Sequence, residues 1–66
     1  MRIISQDRTY SINMDNHDLW TQSGTIYCKI NIDSRVLGTY SSQERAKEVF
    51  KDIHNVRCKL FKMPEK

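Results

Sequence analysis

The segment Val36–His54 constrains the fold of this chain more than any other, because nineteen residues predict a strand, a stop and a helix. The β-branched and aromatic run Val36–Tyr40 is typical of a strand. Ser41 stands three residues before Glu44, the spacing of a capping box at a helix N-terminus. Apolar side chains then recur at helical period, at Ala46, Val49, Phe50, Ile53 and Val56. This helix must bury its apolar stripe, and the rest of the chain offers only strands.

Alternating apolar and polar residues predict the other strands. The pattern is strongest in Thr25–Ile32, where Ile26, Cys28, Ile30 and Ile32 share one face. Asp33–Arg35 is predicted as the hairpin turn that leads into the Val36–Tyr40 strand. Weaker strand signals lie at Arg2–Ser5, Thr9–Met14, Leu19–Gln22 (interrupted at Ser23 and Gly24) and Lys59–Met63. We expect the helix to end near Asn55, a residue that tolerates the left-handed cap conformation.

These elements predict an α+β fold in one domain over residues 1–66, with a twisted antiparallel sheet of three to five strands and one amphipathic helix packed on one face. The predicted core is Ile3 or Ile4, Tyr10, Ile12, Ile26, Cys28, Ile30, Val36 or Leu37, Ala46, Val49, Phe50 and Ile53. Nothing in the chain covers the other face of the sheet, where Trp20 and Tyr27 would be partly exposed beside an unpaired edge. We therefore expect a homodimer.

Size and composition favour a small cytoplasmic domain. The mean hydropathy is −0.70 and no apolar run approaches the length of a membrane span. The opening residues lack the apolar segment of a secretory signal. Cys28 and Cys58 are interpreted as two buried thiols rather than a disulfide, because secreted scaffolds of this size usually carry four or more cysteines.

No catalytic, metal or cofactor site is predicted. The serines occupy strand or cap positions, and no third group completes a nucleophile–histidine pair. His17 is interpreted as a hydrogen-bonding loop residue, and His54 as a solvated residue near the C-terminus of the helix. The two histidines and two cysteines lack zinc spacing, and no glycine-rich phosphate loop exists.

Basic residues are concentrated in the second half of the chain. Residues 35–66 hold eight basic and four acidic side chains, whereas residues 1–34 hold three basic and four acidic ones. Near the end, the cations Arg57, Lys59 and Lys62 surround Phe61. Cations with an aromatic side chain are what nucleic-acid-binding segments use for phosphates and bases. A solvated amphipathic helix followed by a lysine-rich segment has the same composition, so both interpretations stand.

Three segments resemble a family of small proteins encoded by phages and prophages of Gram-positive bacteria. They are Met1–Asp7 (MRIISQD), Leu37–Ser42 (LGTYSS) and Glu44–Glu48 (ERAKE). Family members begin MRIISQDG, whereas this chain has Arg8 in place of the glycine and differs in the residues that follow. The resemblance brings no catalytic residues. It implies a setting in the cytoplasm of a bacterial host, where small phage proteins commonly bind and block a host component.

We therefore expect a non-enzymatic binding protein that inhibits a host factor, most plausibly part of a bacterial defence system, as anti-CRISPR proteins do. The expected binding residues are Trp20, Tyr27 and Lys29 on the uncovered sheet face, together with the basic segment at Arg57, Lys59, Phe61 and Lys62. The alternative is a small nucleic-acid-binding regulator that uses the basic segment. A third hypothesis is an assembly accessory of the phage.

Overall fold

A computed structural model covers residues 1–66 and contains six strands and one α-helix. In chain order they are β1 (Arg2–Ile4), β2 (Ser11–Asn13), β3 (Leu19–Gln22), β4 (Thr25–Ile30), β5 (Asp33–Thr39), α1 (Gln43–Asn55) and β6 (Leu60–Lys62). A 3₁₀ turn at Met14–Asn16 joins β2 to β3. The predicted α+β class with a single packed helix is confirmed.

The strands form two sheets of three strands each rather than one sheet. The first sheet has the order β2-β1-β6 and the second has the order β3-β4-β5. All neighbours are antiparallel except β1 and β6, which run parallel and pair Ile3 with Phe61. The N-terminal segment joins the sheets, because the Gln6 N–H donates to the Leu37 carbonyl oxygen at 2.8 Å.

The core lies between the two sheets and α1. The helical stripe is buried through Ala46, Val49 and Ile53, as predicted, while Phe50 packs half-buried at its border. The open choices in the predicted core resolve to Ile3 and Leu37. Two core members were missed, Tyr40 and Met63, and Tyr10 and Ile30 are only partly buried.

The two hairpins of the second sheet turn at different kinds of residue. Ser23 and Gly24 both have positive φ, 51° and 83°, as a two-residue type I′ turn requires. The β4–β5 turn lies at Asn31 and Ile32, where Asn31 has φ 56°. The predicted turn at 33–35 and the inward position of Ile32 were therefore wrong. Ile32 is 93% exposed because β4 ends two residues earlier, at Ile30.

The helix begins one residue later than its sequence pattern indicates. Ser42 is the N-cap residue and its Oγ accepts a hydrogen bond from the Arg45 N–H at 3.1 Å. The predicted capping box at Ser41 was wrong, since Ser42 has the extended backbone that a cap needs. The helix ends at Asn55 as predicted, but the chain leaves it in extended conformation at Val56 rather than through a left-handed residue.

Two further expectations concern the cysteines and the membrane. Both cysteines are free; Cys28 is buried as predicted, whereas Cys58 is exposed, contrary to prediction, because it lies in the irregular segment between α1 and β6. The helix α1 is too short and too polar to cross a lipid bilayer.

Candidate binding surface

The second sheet buries one face and leaves the other without a covering element. Ile26 and Cys28 of β4 point to the inner face and are buried against α1 and the rest of the core. Successive residues of a strand alternate between faces, so Tyr27 and Lys29 point to the opposite side, here called the outer face. Directly paired residues share a face. The outer face therefore also carries Trp20 and Val36, which both pair with Tyr27.

Trp20, Tyr27 and Val36 form a row across all three strands of the second sheet. The Trp20 and Tyr27 rings are stacked, with centroids 5.5 Å apart and planes 17° from parallel. Each ring shields part of the other, so both side chains are half-buried, while Val36 remains 47% exposed. The stack holds two large apolar side chains in defined positions. These side chains would therefore lose little conformational entropy when a partner binds.

Polar groups border this row on one side. The Lys29 N–H donates to the Asp18 carbonyl oxygen at 2.9 Å, which continues the β3–β4 ladder beyond β3. The side chains of these two residues, with Asn16 and Asn31, line an open depression of about 340 Å³. The exposed Ile32 follows Asn31 in the same turn.

Tyr10 anchors the other side of the second sheet. Its hydroxyl donates to the Val36 carbonyl oxygen, and the Arg35 guanidinium lies 5.9 Å from its ring centroid. Burial raises the pKa of Tyr10 to about 12, because the phenolate would lose its hydration. Tyr10 was expected in the core, and the structure places it at the core's border, where it supports the strand that carries Val36.

The basic segment runs from the connection between α1 and β6 into β6 of the first sheet. Arg57 and Lys59 are exposed in the connection between α1 and β6, and Lys62 is exposed on β6. Phe61 does not face solvent with them: it pairs with the fully buried Ile3 and packs against the core. Alternation along β6 directs its ring toward the core and leaves it only partly exposed, so its predicted role as a base-stacking group stays a prediction that this placement disfavours.

Both histidines form hydrogen bonds with backbone groups close to them in sequence. His17 Nδ1 donates to the Asn13 carbonyl oxygen at 2.7 Å, and His54 Nδ1 donates to that of Phe50 at 2.8 Å. Burial raises the pKa of the Cys28 thiol, which disfavours the reactive thiolate. No group of three or more His, Cys, Asp or Glu side chains converges to hold a metal ion.

Asp7 organises the turn between β1 and β2. Its carboxylate accepts from the Thr9 hydroxyl and the Ser5 hydroxyl, both at 2.7 Å, and from the Thr9 N–H at 3.1 Å. These bonds, led by that of the Thr9 side chain, lower the pKa of Asp7 below its usual 3.8. Ser5 itself is fully buried. These polar groups are thus used to build the turn.

Sequence reasoning found Trp20, Tyr27 and Lys29 on the outer face but did not place Val36 there. Trp20, Tyr27 and Lys29 were predicted on an uncovered face, and the structure brings them together. The sequence left open whether Val36 or Leu37 is the core residue. A register shift in the β4–β5 ladder, between Ile26 and Tyr27, turns Leu37 inward and Val36 outward.

Comparisons with known proteins found no match to this chain. No protein-family model matches the chain, and neither a curated protein nor a solved structure matches it.

Proposed function

We propose that this protein is a non-enzymatic binding protein that docks a partner protein on the outer face of its second sheet. The observation that carries the proposal is the row of Trp20, Tyr27 and Val36 across three strands with nothing of the chain packed over it. Protein–protein interfaces concentrate aromatic side chains at their centre and polar groups at the rim. The outer face has this arrangement, with Asp18 and Lys29 at its border.

The partner is proposed to be a host factor, a component of a bacterial defence system. This part rests on the resemblance of Met1–Asp7 and of the strand-to-helix segment to small proteins of phages and prophages. A small protein that works by occlusion needs a rigid recognition surface and no catalytic group. Stacked aromatic rings on a sheet with short hairpin turns suit that role.

The alternative, a nucleic-acid-binding regulator, is supported by the exposed cations Arg57, Lys59 and Lys62. It has fewer structural features in its favour. Phe61 packs against the core and is only partly exposed for stacking. Arg2, the cation nearest in register on β1, hydrogen-bonds to Ser11. Binding by these cations alone would be mainly electrostatic and would weaken steeply with salt.

A complementation experiment in a Gram-positive host tests the proposal. The host carries an active defence system and expresses the wild-type chain, the double variant Trp20→Ser/Tyr27→Ser, or the control Lys47→Ser/Lys51→Ser on the exposed surface of α1. We expect the wild type and the control to restore plaque formation by a restricted phage and to retain the same host protein at high salt. The outer-face variant should lose both properties while keeping its circular dichroism spectrum.

The outcomes separate the two hypotheses. Protection that survives the outer-face variant but disappears in Arg57→Ser/Lys59→Ser/Lys62→Ser would overturn the proposed surface. If, in addition, nucleic acid co-purifies at low salt and is lost at high salt, the regulator hypothesis replaces it. Absence of protection in every defence background tested, with no retained host protein, would reject the inhibitor role.

A further inference from the structure

The outer edge of β3 carries backbone groups that have no partner within the chain. The hydrogen bond from the Lys29 N–H to the Asp18 carbonyl oxygen fixes the phase of the β3–β4 ladder. In an antiparallel pair hydrogen-bonded and non-hydrogen-bonded pairs alternate, so Trp20 and Gln22 direct their N–H and C=O groups toward β4. The N–H and C=O groups of Leu19 and Thr21 therefore point away from the sheet, and no other backbone group of the chain bonds to them.

This edge also lacks the features that usually prevent strand pairing. The strand Leu19–Gln22 contains no charged residue and no proline, and its ladder has no bulge. The opposite edge of the same sheet differs, because Gln6 covers part of β5. In the first sheet, β6 carries Lys62 and β2 has only three residues.

We propose that β3 pairs with β3 of a second copy, antiparallel, around a two-fold axis at Trp20. In this register Leu19 lies opposite the partner's Thr21, and Thr21 lies opposite the partner's Leu19. All the free N–H and C=O groups of the two strands are then used, which gives four backbone hydrogen bonds. A two-fold axis at Leu19 or at Thr21 would give only two, so the phase of the β3 edge selects the register.

Side chains on the outer face are complementary in the same register. Trp20 lies opposite the partner's Trp20, and Asp18 lies opposite the partner's Gln22, whose amide can donate to the carboxylate. No two like charges are opposed. The occupant that fits this edge is therefore a second copy of the chain, because the pattern of donors, acceptors and side chains is self-complementary.

Pairing at β3 joins two sheets into one of six strands. The row Val36–Tyr27–Trp20 continues into the same row of the partner, so the outer face doubles in length. An edge of four residues buries little area for a protein interface, and the dimer is accordingly a reversible one that dissociates on dilution. Its existence does not depend on the proposed host target.

Site-specific cross-linking tests the register directly. In a Cys58→Ser background, Trp20→Cys places two thiols at a non-hydrogen-bonded pair, where Cα atoms are about 4.5 Å apart, within disulfide range. Tyr27→Cys is the matched control: it removes the other ring of the stack, but its thiols would lie three strand spacings apart, about 14 Å. We expect Trp20→Cys alone to form a covalent dimer under mild oxidation. Equal cross-linking of both variants, or none in Trp20→Cys, overturns the register.

Charge variants give a second measurement that leaves the aromatic stack intact. Gln22→Glu places a carboxylate opposite the partner's Asp18 on both sides of the axis, and should raise the dimer dissociation constant several-fold in sedimentation equilibrium. Adding Asp18→Lys to Gln22→Glu should restore association. A wild-type chain that stays monomeric at all concentrations, or a Gln22→Glu variant that associates as well as the wild type, rejects the dimer. Neither result bears on host-protein binding, which is measured separately.

Discussion

The side-chain amide of Gln6 hydrogen-bonds to both backbone groups of Thr39. Gln6 Nε2 donates to the Thr39 carbonyl oxygen at 2.9 Å, and Oε1 accepts from the Thr39 N–H at 2.8 Å. The same Nε2 also donates to the Glu65 carbonyl oxygen at 2.9 Å. The Gln6 side chain thus bonds to β5 as a neighbouring strand would, and it also holds the C-terminal segment beside β5. These bonds help to keep the two small sheets packed around a common core.

The Gln6 clamp predicts a strong effect of a nearly isosteric change. Gln6→Glu keeps the acceptor for the Thr39 N–H but replaces the donor with an oxygen that faces two carbonyl oxygens. We expect the free energy of unfolding to fall by about 1–2 kcal/mol, the value of the lost bonds. Urea denaturation measures it, with the exposed Gln22→Glu at dilutions that favour the monomer as control. Equal losses in both variants would contradict the clamp.

The N-cap assignment distinguishes two adjacent serines. The Ser42 hydroxyl accepts from the Arg45 N–H, whereas no hydrogen bond involves the Ser41 side chain. We expect Ser42→Ala to lower the free energy of unfolding by about 1 kcal/mol, and Ser41→Ala to change it little. Thermal denaturation followed by circular dichroism compares the pair. A larger loss of stability in Ser41→Ala than in Ser42→Ala would instead favour the capping box at Ser41 that the sequence pattern indicates.

Arg8 has a left-handed backbone, with φ 64°, and its guanidinium group holds two carbonyl oxygens. Arg8 Nη1 donates to the carbonyl oxygens of Met63 at 2.8 Å and Ser5 at 3.2 Å. Arg8→Gly and Arg8→Ala both remove these bonds, but only glycine adopts this φ without a steric penalty. We expect Arg8→Gly to be more stable than Arg8→Ala by about 1 kcal/mol. Equal stability in chemical denaturation would show that the backbone conformation carries no cost.

Tyr10 predicts a loss of stability at alkaline pH. Its pKa is raised from 10.0 to about 12 in the folded state, chiefly by burial. The contribution of the protonated phenol is therefore fully present below pH 10 and is lost as the pH rises through 12. Tyr10→Phe lacks the hydroxyl that donates to the Val36 carbonyl oxygen, so its stability should be lower at neutral pH.

The pH dependence of the difference between wild type and Tyr10→Phe is the measurement. We expect the difference in free energy of unfolding to be constant up to about pH 10 and to shrink above it. Subtracting the two free energies of unfolding cancels the contribution of the groups that titrate in both proteins. A difference that stays constant across the alkaline range would mean that the Tyr10 phenol is no harder to ionise in the folded chain than in the unfolded one.

Local sequence patterns were sufficient to predict the elements that short-range physics controls. The apolar stripe of α1 predicted its buried residues, and Ser23 with Gly24 marked an interruption after Gln22, where β3 ends. Of the expected surface residues, Trp20, Tyr27 and Lys29 lie on one open face. Their positions follow from alternation along β3 and β4, a property of each strand by itself.

Some features that the sequence did not indicate depend on another part of the chain. Phe61 has the same neighbours in sequence whether it faces solvent or core, and only parallel pairing with Ile3 turns it inward. Met63 is fully buried for a related reason: its N–H donates to the Ile4 carbonyl oxygen at 3.0 Å, which holds the end of β6 against β1.

The sequence by itself determined the helix and the strongest strand, because the period of the apolar side chains is set over a few residues. Only the tertiary structure decided that the strands divide into two sheets, since β1 and β6 are far apart in sequence and run parallel. It also decided that Val36 rather than Leu37 lies on the outer face. A one-residue shift in a ladder exchanges the two faces of a strand, and that shift depends on pairing across the sheet, which no single strand encodes.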